Sequence, residues 1–160
     1  MAVAHLLLDP ADVMAKTILV VDDDPAVLES YGRLLRRLGH RVLLSEDSER
    51  VRTDPDSLSG IDLLILDQRM PRTSGLALLD SLRRRVAAVR GDQGAPVGVV
   101  PAVILISALP SDELRDEAAR LGVAEVIEKP VDTRHLLASV RAALEGTVCP
   151  RPADSRISRP

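Results

Sequence analysis

Five apolar runs of five or six residues, dominated by Val, Ile and Leu, alternate along the chain with stretches whose apolar positions recur every three or four residues. The runs at 17–21, 41–45, 61–66, 102–107 and 124–128 predict strands, and the segments at about 25–38, 76–89, 111–121 and 132–145 predict amphipathic helices. In the first helix Val27, Leu28, Tyr31, Leu34, Leu35 and Leu38 share a face, Pro25 suits its first turn and Gly39 ends it. The 76–89 helix is expected to turn Leu78, Leu79, Leu82, Val86 and Val89 inward and to carry Arg83, Arg84 and Arg85 on its far face. Gly122 closes the 111–121 helix, and the last helix buries Leu136, Leu137, Val140 and Leu144. Between 46 and 60 only a brief, poorly amphipathic helix is expected, interrupted at Asp54-Pro55. Alternating strands and helices with short connections imply right-handed crossovers and a parallel sheet covered on both faces, an α/β fold.

Three segments fall outside this rhythm. Residues 1–15 are expected to form an N-terminal extension, and Met14 offers a second possible start. The Gly- and Pro-rich segment 90–101 is longer than an ordinary helix-to-strand connection and is taken as an insertion in a domain spanning 16–146. The polar tail, 147–160, is expected to be disordered.

At 160 residues, 46% hydrophobic, the chain suits one domain with an adequate core. Its net charge of −3 provides no basic field for nucleic acid, so direct DNA binding is not expected and a protein partner is. Cys149, the single cysteine, permits neither an internal disulfide nor a thiol zinc cluster, and the chain is expected to be cytoplasmic. The N-terminal stretch lacks both a basic n-region and a long apolar run, so no membrane targeting is expected. Tyr31 is the sole aromatic residue, which leaves an aliphatic core, and Lys16 and Lys129 are the only lysines.

The chemistry gathers where strands end. Asp22 and Asp23 follow the first strand, Asp67 the third, Ser107 the fourth and Lys129 the fifth. In an open parallel sheet these carboxyl ends share one edge, so distant residues converge there. Three consecutive acids, Asp22 to Asp24, repel one another unless a cation intervenes; a hard divalent cation such as magnesium suits their oxygens. Asp24, just before Pro25, is better read as a helix cap. Asp67 ends the most apolar strand, where a bare carboxylate is costly; compensated by a cation or ammonium, it could serve as a nucleophile toward a phosphoryl group. Ser107 alone fits a turn or cap equally well, but beside a phosphorylated Asp67 it could donate to a phosphate oxygen while Lys129 pairs with another.

Together these residues resemble the receiver domain of bacterial two-component response regulators, over roughly 17–145. The resemblance is carried by Ile18 to Pro25 (IleLeuValValAspAspAspPro), Leu64 to Pro71 followed by Ser74-Gly75, Ile104 to Ala108 (IleLeuIleSerAla), and Val126 to Pro130 (ValIleGluLysPro). It implies a flavodoxin-like, doubly wound sheet of order 2-1-3-4-5, a topology shared with chemotaxis receivers. It implies Asp67 as phosphoacceptor; Mg2+ held by Asp22, Asp23, Asp67 and the backbone carbonyl of Arg69; and Ser107 and Lys129 on the phosphoryl group. The donor would be a sensor histidine kinase or histidine phosphotransfer protein and the output a protein target in trans, with a homodimer possible. Because the chain ends soon after the last helix, a stand-alone receiver is expected, a signalling protein that catalyses only its own phosphorylation and dephosphorylation. Val126 stands where the family usually places an aromatic switch residue, and Arg69 and Leu109 where it varies water access.

Two other readings compete. Val126 favours a degenerate receiver that acts as an unphosphorylated scaffold. Asp22-Asp23-Asp24 also spells an Asp-x-Asp motif like that of haloacid-dehalogenase-type phosphatases, with Asp22 as nucleophile, although that chemistry needs a further acidic motif after Lys129 and leaves Asp67 without a role.

Overall fold

The aliphatic runs do form a sheet. A computed structural model of the protein describes residues 15–89, 91, 94 and 98–146. Residues 1–14, including Met14, residues 90, 92, 93 and 95–97 of the connector, and the 147–160 tail with Cys149 lie outside the described residues. The elements run β1 (Thr17–Val21), α1 (Pro25–Arg37), β2 (Arg41–Ser45), α2 (Ser48–Thr53), β3 (Leu63–Asp67), α3 (Gly75–Ala88), β4 (Ala102–Ser107), α4 (Asp112–Arg120), β5 (Glu125–Glu128) and α5 (Thr133–Glu145). All strand pairs are parallel and the order is β2-β1-β3-β4-β5, as expected.

Alternate residues of each strand feed opposite layers. On one side Ile18, Val20, Ile65, Ile104, Ile106 and Ile127 meet Leu28 and Leu35 of α1 and Leu136 and Val140 of α5. On the other, Leu19, Val21, Leu64, Leu66, Val103 and Leu105 meet Val51 of α2, Leu78, Leu79 and Leu82 of α3 and Ala118 of α4. Central β3 is buried from end to end, the mark of a strand covered on both faces.

Side-chain oxygens start the helices. Asp24, Asp47, Ser74, Ser111 and Asp132 each accept a backbone N–H from the first turn. Asp24 thus caps α1, and α2 stops before Pro55.

Three expectations need correction. Val89 does not turn inward: it is 52% exposed, because α3 ends at Ala88 and Val89 is extended. Arg83 and Arg85 do not lie on a free outer face. Arg85 donates to the carbonyls of Val51 (3.3 Å) and Arg52 (2.5 Å) and to Ser57 Oγ (2.9 Å), closing the carbonyl end of α2, while Arg83 reaches Gly122 O at 3.5 Å. Val86, Leu137 and Leu144 are half-buried rather than buried. Smaller shifts concern boundaries: β3 begins at Leu63 and β5 at Glu125.

Candidate functional site

Backbone pairing continues one residue past the strands at the sheet's carboxyl edge. Asp22 N–H donates to Ser45 O (3.2 Å), Gln68 N–H to Ile106 O (2.8 Å) and Lys129 N–H to Ser107 O (2.9 Å). Residues next to Asp67 and Ser107 are therefore held in sheet geometry although the strands have ended. The edge brings together Asp22, Asp23 and Asp67, each able to present a carboxylate oxygen within 4.8 Å of the others. Asp22 and Asp67 are buried, at 3% and 4% exposure, and Asp23 is exposed. Two buried acids and an open one suit a hard cation that keeps some of its water, so the donor set fits Mg2+.

Lys129 Nζ lies 2.7 Å from Asp67 Oδ1. The other oxygen of Asp67, Oδ2, accepts the backbone N–H of Arg69 at 3.1 Å. Arg69 is itself bridged to Ser74, whose hydroxyl caps α3. Asp22 is braced by its neighbour: its Oδ1 accepts Asp24 N–H at 2.9 Å. Ser107 is buried at the end of β4, and its Oγ accepts Leu109 N–H at 3.3 Å, which leaves its own O–H as a donor.

Burial pushes the Asp22 carboxyl above the usual carboxylate range, assisted by the charges of Asp67 and Asp23 and opposed by the Asp24 N–H and Lys129. For Lys129 burial acts the other way, but the hydrogen bond to Asp67 and the charges of Asp67 and Asp22 outweigh it and raise the ammonium above its ordinary value. Tyr31 on α1 also feels this field: burial raises its phenol, and Lys129 pulls it back.

All six residues singled out in the sequence thus lie at this edge or border it, Arg69 through its backbone. Two that bear on the geometry were not singled out. Gln68 Oε1 accepts Leu76 N–H at 3.1 Å, a contact across eight positions that no periodicity signals. Gly75 packs so tightly that a Cβ there would sit 2.6 Å from Asp67 O; the Ser74-Gly75 pair was visible, but not what the glycine faces.

A model of the response regulator receiver domain matches residues 18–141. The chain belongs to the receiver domain family. Among curated relatives, the transcriptional regulatory protein FixJ of Azorhizobium caulinodans is 35% identical over 125 residues, 78% of this chain and 53% of FixJ. CpxR of Escherichia coli K12 is 32% identical over 127 residues, covering 79% and 48%. This receiver chain spans about half the length of those relatives. A receiver domain protein from Clostridium thermocellum superposes with a TM-score of 0.66 at 26% identity, covering 82% of this chain and 95% of that one. The BeF3-activated DrrB receiver domain superposes at 0.64 and 26%, covering 82% and 99%. Receivers are signalling domains rather than conventional enzymes, and among the described residues no helix is long and apolar enough to cross a membrane.

Proposed function

We propose that this receiver, spanning about 16–146, is phosphorylated on Asp67 by a histidine kinase or a histidine phosphotransfer protein. Mg2+ would be held by Asp22, Asp23, Asp67 and the carbonyl of Arg69, and the changed surface is read by a protein target in trans. One observation carries the reading: a buried Asp67 lies 2.7 Å from Lys129 and within a group of three acids whose oxygens are close enough to share a cation. In the transfer a carboxylate oxygen of Asp67 attacks phosphorus, the bond from phosphorus to the donor nitrogen breaks, and its electron pair leaves on that nitrogen. When bound, the cation offsets repulsion among the acids and draws charge from the phosphoryl oxygens. Lys129, paired with Asp67 beforehand, can follow the negative charge onto a phosphoryl oxygen, and the Ser107 O–H can donate to another.

The test is incubation with acetyl phosphate and magnesium followed by a phosphate-affinity gel. A retarded band is expected, and Asp67→Asn abolishes it. Labelling that survives Asp67→Asn but disappears in Asp22→Asn would instead support the phosphatase-like nucleophile. The scaffold reading draws on Val126, half-buried where an aromatic switch is usual; it predicts no band at any magnesium concentration.

A further inference from the structure

The residue after Asp67 is a half-buried glutamine, tied at three points. Its N–H donates to Ile106 O at 2.8 Å, its carbonyl accepts Gly75 N–H at 3.1 Å, and its side-chain Oε1 accepts Leu76 N–H at 3.1 Å. A helix begins with backbone N–H groups that have no partner in the helix. At the start of α3, Ser74 Oγ takes Ala77 N–H, and Gln68 takes both Gly75 and Leu76. Gln68 therefore joins the first turn of α3 to the end of β3 and closes the 68–75 loop at its base. Within that loop Arg69 is bridged to Ser74 and donates its N–H to Asp67 Oδ2. The Asp67 carboxylate and the Arg69 peptide thus take their places from a loop closed at its base by Gln68, whose amide oxygen is the side-chain tie among backbone ones.

We propose that Gln68 is a positioning residue for the cation limb of the site: through its Oε1–Leu76 bond it holds the Arg69 backbone against Asp67, and its loss weakens magnesium binding. The proposal deepens the phosphoacceptor reading and rests on it for its biological sense, but its test does not use phosphorylation. Groups that orient a metal's ligands typically change affinity about 10–100-fold when removed. Gln68 acts at one remove, on a backbone ligand, so the low end, about 10-fold, is expected for Gln68→Met, which keeps the length and apolar stem and removes the acceptor.

Magnesium affinity is measured by following backbone amide resonances as MgCl2 is added to the full chain. Gln68→Met is expected to bind about 10-fold more weakly and, without metal, to displace the Leu76 and Arg69 amides. Gln68→Glu restores the acceptor and is expected to leave Leu76 in place and bind magnesium at least as well as wild type. Ser74→Ala removes a cap from the same helix end without opening the loop; it should lower the melting temperature and move Ala77 while holding affinity within about twofold. If Gln68→Met binds magnesium as wild type does while losing stability as Ser74→Ala does, Gln68 is only a helix cap and the proposal falls. Should Gln68→Met fail to fold, wild type decides: the Leu76 amide must shift on saturation with magnesium, and a stationary Leu76 overturns the link. The affinity order above, found in a wild type that acetyl phosphate does not label, sinks the phosphoacceptor reading and upholds Gln68.

Discussion

Asp22 is a buried acid whose ionisation burial opposes. A carboxyl raised above its unfolded value holds its proton in the folded state over a range where the unfolded chain has lost it. The contribution of Asp22 to the stability of the metal-free protein should therefore fall as pH climbs from the ordinary carboxylate value of 3.8 through the raised one. Asp22→Asn keeps an oxygen for Asp24 N–H and removes the charge; urea unfolding from about pH 3.5 to about pH 7 should show a flatter decline for it than for wild type. Saturating magnesium should flatten the wild-type curve in the same way. Lys129 has the same sign in a higher range: raised by its partners, it contributes stability that is complete below the unfolded value of 10.5 and is lost as pH rises through the folded one. Residue types and order disclosed this set, because burying an acid demands compensation and the compensating lysine was one of two in the chain. Side-chain direction was less legible, as Arg85 shows: a basic run on a polar helix face implied solvent, yet its guanidinium serves the open carbonyls of α2.

Among the elements, α3 is placed by contact and α4 by polar ties. Gly75 brings the first turn of α3 against the carbonyl of Asp67, and Leu105 Cδ1 would lie 2.7 Å from a Cβ at that position. Neither the backbone nor a buried leucine yields easily, so Gly75→Ala is expected to destabilise the fold by about 1–3 kcal/mol. It should also slow labelling by acetyl phosphate, since the atoms displaced are those of Asp67, the proposed phosphoacceptor. Helix α4 buries only Ala118, with Leu114 and Leu121 partly covered. Arg115 supplements this thin face by donating to Val126 O at 3.3 Å on the edge strand. Replacing Arg115 with Ala should cost about 1 kcal/mol, and hydrogen exchange should quicken in α4 while α1 and α5 stay unchanged. With valine at 126, the tie from this arginine to the backbone fastens α4 to β5, a connection no hydrophobic pattern could reveal.

At the scale of the whole molecule, cation binding at the proposed site would be coupled to folding, because the acids converge only in the folded chain. At magnesium about 100 times its dissociation constant, wild type should gain about 2.7 kcal/mol in unfolding free energy. Asp23→Asn, which changes an exposed ligand candidate without disturbing the core, should lose most of that gain in the same denaturation measurement. The chain's own pattern determined the five strands, the doubly covered sheet and the edge on which its acids, serine and lysine lie, because a periodicity of two or 3.6 residues and a strand's direction are local properties that survive without coordinates. Only tertiary structure decided which oxygen of Asp67 meets Lys129, what Gly75 must avoid, and that Gln68 joins β3 to α3. Those contacts depend on how a loop closes and how layers meet, which separations along the sequence do not encode.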